Sequence, residues 1–129
     1  MATPSSPCPC GGNGTYRECC GRYLEGGEIA PSAEALMRSR YTAYTRQNAS
    51  YLLASWHRSN RPASLDLAEG VATKWLGLEV KRHEQQDGEH AIVEFVARYK
   101  VNGRAHRLHE VSRFVREDGR WFYVDGDIA

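Results

Sequence analysis

Residues 91–126 read AIVEFVARYKVNGRAHRLHEVSRFVREDGRWFYVDG, and the two dipeptides that interrupt the stretch decide the fold. Asn102-Gly103 and Asp118-Gly119 suit two-residue hairpin turns, whose central residues need left-handed φ and whose twist matches that of paired strands. If Asn102 and Gly103 form the first loop, Val101 pairs with Arg104, Phe95 with Glu110 and Val93 with Ser112. The second loop sets Phe114 opposite Tyr123 and Ser112 opposite Asp125. Upstream, Leu78, Val80 and Arg82 alternate with Glu79, Lys81 and His83, and Asp87-Gly88 turns into the next run. Four antiparallel strands in a meander follow, the first beginning after Gly77.

The register sorts side chains onto two faces. One carries Val93, Phe95, Ala97, Tyr99, Leu108, Phe114, Trp121 and Tyr123, with His106, Glu110, Ser112 and Asp125 among them. The other carries Val96, Val111, Val115, Phe122 and Val124 between charged residues, an apolar strip that helices or a second copy of the chain would have to cover. A symmetric homodimer is one solution. In front of the sheet, Ser32 can cap an amphipathic helix over residues 33–47, built on Leu36, Met37, Tyr41 and Tyr44. A short helix is expected over 49–57, ended by the polar residues before Pro62. A third begins near Leu65, with Leu67, Val71 and Trp75 on one stripe, and stops at Gly77. The reading is an α+β chain: an N-terminal metal-binding segment over residues 1–30, then helices packed on a curved sheet over 31–129. A curved sheet with this many polar groups on its inner face encloses a conical cavity.

Four cysteines, Cys8, Cys10, Cys19 and Cys20, lie within thirteen residues and are the chain's only ones. The segment between the pairs has one aromatic residue and no aliphatic run, so it has little to bury. Four thiolates converging on Zn²⁺ or another soft ion would supply most of its fold. Four protein ligands leave a tetrahedral ion no open position, which argues against metal-assisted hydrolysis. Gly11, Gly12 and Gly14 let the loop return, and Arg17 and Arg22 can offset the thiolate charge.

With 129 residues and 41% apolar content, the chain can build one modest core. Lys and Arg total 17 against 16 acidic residues, a net charge of +1, so no global field draws it to nucleic acid or anionic lipid. Arg38, Arg40, Arg46, Arg58 and Arg61 leave a local basic patch as the one route to nucleic acid. The first ten residues have neither the basic start nor the apolar stretch of a secretion signal, and no run is long enough to span a bilayer. The expected compartment is the cytoplasm, where thiolate ligands are favoured over disulfides.

The stretches PCPCG, YRECCGRY, ALMRSRYTAY, YLLASWH, WLGLEV, FVARY, HEVSRF and GRWFYVDG are similar to those of the uncharacterised bacterial YchJ-like family. CPCGGNGTYRECCGRY resembles the SEC-C zinc motif of the translocation ATPase SecA, where the last ligand is often histidine and here is Cys20. The resemblance implies a zinc segment followed by a domain with the cone fold of nuclear transport factor 2. It implies no assigned reaction. In the ATPase the motif contacts a partner chaperone through nearby basic residues; here the interval holds Arg17 and lacks lysines.

Two function classes follow. One is a zinc-binding adaptor, displaying Arg17, Glu18 and Arg22 to a protein partner, with a small-ligand pocket in the cone. In that reading, loss of the metal leaves residues 33–127 folded. The other is an acid/base enzyme without metal, or a small-molecule binder, using the cone. Its candidate residues are His57, Glu110 and Asp125, with His106 or His109 as substitutes for His57. Glu110 on the inner face needs a partner, expected to be Arg38 or Arg40, or else serves a ligand. A carboxylate beside His57 could move a proton.

Overall fold

In the computed structural model, which describes residues 7–12, 14–65 and 73–128, both hairpin turns form as read. Asn102, Gly103, Asp118 and Gly119 all take positive φ, between 50° and 81°. They join three long strands, β2 (His90–Val101), β3 (Arg104–Glu117) and β4 (Arg120–Ile128). With β1 (Thr73–Gln85) these make one antiparallel sheet in the order β1-β2-β3-β4. Val101 pairs with Arg104, Phe95 with Glu110, Val93 with Ser112 and Phe114 with Tyr123.

One pairing differs. The register of β3 with β4 slips after Phe114–Tyr123, so Arg113 faces Asp125 and Ser112 faces Gly126. The extra residue, Val124, makes a bulge, and one residue of slip moves every later side chain of the strand to the opposite face. Asp125 therefore leaves the inner face. Two further irregularities, at Trp75/Gly77 and Val80/Arg82, bend β1.

The third helix is corrected in the same region. Residues 73–77 are the start of β1, with Trp75 directed inward opposite Tyr99, and Leu67 and Val71 lie outside the described residues. The four-residue spacing that suggested a helical stripe at Trp75 is also a multiple of the strand period of two.

Three helices precede the sheet: α1 (Gly21–Leu24), α2 (Ala33–Thr45) and α3 (Ala49–Ala54). Ser32 caps α2 as read, its hydroxyl accepting from the Ala35 N–H, and Asn48 caps α3 through the Tyr51 N–H. Leu36, Met37 and Tyr41 of α2 pack on Val93, Phe95, Ala97, Phe114 and Trp121 of the sheet. Cys8, Cys10, Tyr16, Cys20 and Tyr23 belong to that same buried cluster. The apolar core is thus continuous across residue 30.

The outer face of the sheet differs from an exposed apolar strip. Val96 is fully buried, and Val111, Val115, Phe122 and Val124 are half-buried. Ion pairs cross this face: Glu79 with Arg98, Glu94 with both Arg82 and His109, and Arg113 with both Asp125 and Asp127. Large hydrophobic side chains are exposed, among the described residues, only at Ile29, Leu76 and Ile128. No described helix is long and apolar enough to cross a membrane.

Candidate metal centre and cone cavity

The cysteine loop closes through backbone bonds, from the Gly11 N–H to the Cys8 carbonyl and from the Cys19 N–H to the Tyr16 carbonyl. Gly11 and Gly14 adopt φ of 74° and 99°, which bends the loop back so that all four sulfurs lie within 4.8 Å of one another. Cys10 Sγ is 3.6 Å from Cys19 Sγ, and Cys19 Sγ is 4.0 Å from Cys20 Sγ. A disulfide would need about 2.05 Å. A tetrahedral ion with metal–sulfur bonds of about 2.3 Å needs sulfur–sulfur edges of about 3.8 Å. The four residues therefore fit a single metal ion.

Supporting contacts fit the same assignment. The Gly12 N–H points at Cys10 Sγ at 3.3 Å, as a thiolate ligand favours. A Cβ at Gly12 would sit 3.2 Å from the sulfurs of Cys10 and Cys19, so any larger residue would crowd them. Without a cation the thiols oppose one another: hydrogen bonds from Cys10 and Cys20 hold the Cys8 thiol well below its usual range. A bond from Cys20 favours the Cys10 thiolate, yet its interaction with Cys8 and its burial push the pKa up to about 12. A divalent ion would relieve that conflict by taking all four as thiolates.

The centre is anchored to α2. Arg38 donates from Nη1 to the Cys10 carbonyl at 3.0 Å and from Nε to Glu34 at 3.0 Å, and Cys8 Sγ lies 3.7 Å from Thr42 Oγ1. Arg17 and Glu18 are exposed on the loop. Arg22 bonds the Cys19 carbonyl and lies over the Tyr23 ring.

On the far side of α2, the spacing Met37, Arg40, Tyr41, Tyr44 turns one stripe toward a cavity of about 310 Å³ within the curved sheet. Trp56, Trp75, Phe95, Leu108 and Phe114 form much of its wall, and Arg40, Glu110, Ser112 and Tyr123 bring polar groups to it. Arg40 is only 5% exposed. Its Nη1 donates to the Leu52 carbonyl at 2.9 Å and to Ser55 Oγ at 2.6 Å, and its guanidinium lies over the rings of Tyr123 and Trp56 at 4.5 and 5.1 Å. Desolvation lowers its pKa below the ordinary arginine value.

Glu110 does face the cone, but its partners are not the expected arginines. Its Oε2 accepts from Ser112 Oγ at 2.5 Å and from the Tyr123 hydroxyl at 3.3 Å. Arg38 is two residues from Arg40, so it projects from the other side of the helix toward the metal loop. Space for the Glu110 carboxyl comes from Gly126, where a Cβ would lie 2.9 Å from Glu110 Cγ and 2.7 Å from its Cδ. Substituting Gly126→Ala should drive Glu110 from this position and cost about 1–3 kcal/mol through overpacking. Chemical denaturation would read the loss, and an unchanged midpoint would count against this placement of Glu110.

His57 and Asp125 do not join Glu110. Tyr123, on the open edge of β4, bonds the 55–57 segment: its carbonyl accepts from the His57 N–H at 2.7 Å, and its N–H donates to the Ser55 carbonyl at 2.9 Å. The parallel bridge between Trp56 and Tyr123 turns Trp56 toward the cavity. Strand-like alternation then sends His57 outward, where Nε2 meets Glu117 at 2.9 Å and Nδ1 meets Ser59 at 2.7 Å. Asp125 pairs with Arg113 at 2.6 Å on the outer face. His106 is exposed and stacks on Tyr99, and His109 bonds Glu94 on the outer face. The expected basic patch is likewise divided: Arg46 lies over Tyr16, Arg58 pairs with Glu117, and Arg61 bonds the Trp56 carbonyl. The role of Arg40 was the feature missed in the sequence. Its signal was a lone cation within the apolar stripe of α2.

A family model described as "YchJ, middle NTF2-like domain" matches residues 32–126, the helices and sheet that form the cone. The chain belongs to the YchJ-like family. Its relatives include UPF0225 protein RSc0270 of Ralstonia nicotianae, 56% identical over 98% of this chain and 94% of the relative. UPF0225 protein Reut_A0143 of Cupriavidus pinatubonensis is 59% identical over 98% and 91%. Among solved structures, RPA3114, a SEC-C motif containing protein from Rhodopseudomonas palustris, superposes with a TM-score of 0.85. It is 34% identical over 95% of this chain and 98% of that one. A SEC-C motif containing protein from Psychrobacter arcticus gives 0.81 at 27% identity, covering 98% and 84%. The YchJ-like chain thus combines an NTF2-like α+β fold with a cysteine cluster that could hold a metal ion.

Proposed function

We propose that this YchJ-like protein is a zinc-stapled binder of a small molecule. One Zn²⁺ held by Cys8, Cys10, Cys19 and Cys20 acts structurally, and the cone is the working site. Zinc is the choice because four thiolates at tetrahedral edge lengths suit a borderline-soft d¹⁰ ion, and a full sulfur shell leaves it no catalytic position. A reducing compartment such as the cytoplasm would keep the thiols available.

The observation that carries the binding reading is the cavity. A well-packed core would close over 310 Å³ of space, whereas this one keeps it open beside a buried guanidinium and a carboxylate. Apolar walls with a few convergent polar groups are the usual form of a small-molecule site. Acid/base catalysis has less support, since the histidines considered for it lie away from Glu110. Display of Arg17 and Glu18 to a protein partner is compatible with a buried metal, because both side chains face solvent while Cys8, Cys10 and Cys20 do not.

A screen of small aromatic fragments by NMR tests the pocket. Saturable shifts of the Trp56 and Trp75 indole signals are expected, and Ala97→Phe, which fills the cavity from β2, should abolish them with metal content unchanged. Fragments that leave both indoles unmoved, or move them equally in the filled variant, would overturn the reading.

A further inference from the structure

We propose that the cone selects a neutral aromatic molecule bearing one amide or hydroxyl group, and that it rejects aromatic carboxylates of the same size. The inference rests on the pocket reading above and adds the chemistry of its occupant. Arg40 and Glu110 both line the cavity, yet no ion pair within 4.0 Å joins them among the described residues. Tyr123 stands between them. Its ring lies 4.5 Å from the guanidinium carbon, and its hydroxyl lies 3.3 Å from Glu110 Oε2.

Each charged group keeps unused capacity. The protein contacts of Arg40 described above engage Nη1, which leaves the Nε and Nη2 hydrogens to donate. Those of Glu110 engage Oε2, which leaves Oε1 to accept. A cavity that presents a donor and an acceptor in this way is complementary to a group that accepts from one and donates to the other. An amide does so through its carbonyl and N–H, and a hydroxyl through its single oxygen.

Charge decides between neutral and anionic ligands. The cavity already holds one cation and one carboxylate, which offset each other. A ligand carboxylate would gain Arg40 but place two anions against one guanidinium between mostly apolar walls, and an unbalanced charge in such surroundings is costly. A neutral amide satisfies both side chains without adding charge. The aromatic walls at Trp75, Tyr41 and Phe95 favour a ring as the body of the ligand. About 310 Å³ lies at the small end of the range for ligand pockets, which suits one ring or a fused pair.

Four matched probes test this by NMR titration of the metal-loaded full chain: benzamide, phenol, benzoate and toluene. Benzamide or phenol should bind at least about tenfold more tightly than benzoate, and more tightly than toluene, since desolvated charge is disfavoured and the polar pair is satisfied. Glu110→Gln removes the opposing anion while keeping the shape, so benzoate should gain about tenfold there and close the gap. Benzoate binding wild type as well as benzamide, or toluene matching both, would overturn the selectivity and leave the pocket standing. If no probe gives a saturable shift that Ala97→Phe removes, the pocket and its selectivity both fail.

Discussion

Replacing Cys20 with serine is expected to release the metal and destabilise the whole chain, not the N-terminal segment alone. Cys20 is 1% exposed and shares a buried cluster with Tyr16, Leu36, Met37, Tyr41 and Trp121. Arg38 and Thr42 of α2 also contact the cysteine segment directly. Structural zinc contributes its binding free energy to folding. Its loss, with the packing that depends on it, should therefore lower the melting temperature by roughly 10 °C or more in a chain of this size. Circular dichroism melts read beside metal analysis would check this. A variant that lost its metal yet kept the wild-type transition over residues 33–127 would instead support a separable module, as the composition of the segment alone suggests. Acidification should act in the same direction, because protons compete with the ion for thiolates: metal retained near neutral pH should be lost as pH falls.

The second large effect is expected at Arg40. Leucine there would fill part of the volume but leave the Leu52 carbonyl without its charged donor, and Ser55 Oγ without the guanidinium. It would also remove the cation lying over Trp56 and Tyr123 and the positive charge that offsets Glu110. Hydrogen bonds from charged donors are worth about 1.5–3 kcal/mol each. Arg40→Leu should therefore lower stability by about 2–4 kcal/mol, after allowing for the desolvation cost that arginine itself carries. Arg40→Lys should recover little, since an ammonium cannot stack flat between two rings while reaching both acceptors. Denaturant midpoints for the two variants would show it. A leucine variant as stable as wild type would mean that the guanidinium is held for a ligand and not for the fold.

Much of this architecture was legible because its signals are local. Asn102-Gly103 and Asp118-Gly119 require positive φ, and once they are placed the pairing of Phe95 with Glu110 follows by counting. Ser32 announced the start of α2 through its capping hydroxyl. The four cysteines were legible for a different reason: so little else in residues 8–20 can be buried that a metal is the simplest account of them.

What escaped the sequence depends on bulges and on the second side of a helix. Val124 shifts the register by one, and that slip exchanges Asp125 for Gly126 on the inner face. Gly126 in the strand interior is the one local hint, since glycine there often marks a bulge, but it does not fix where the extra residue falls. The Tyr123 backbone, on the open edge of β4, bonds Ser55 and His57, a pairing between distant segments that turns the histidine away from the cone. At Trp75, a spacing of four served helix and strand equally well. Arg38 and Arg40 were both candidates to reach Glu110, and only their angular separation on α2 distinguishes the arginine facing the cysteine loop from the one in the cavity.

The most direct test of the metal centre is X-ray absorption at the zinc edge on the full-length protein as purified. The expected spectrum shows one zinc per chain with four sulfur neighbours at about 2.3 Å and no nitrogen or oxygen in the first shell. A shell containing water or nitrogen, or a reduced, metal-saturated sample in which fewer than four sulfurs bind, would contradict it.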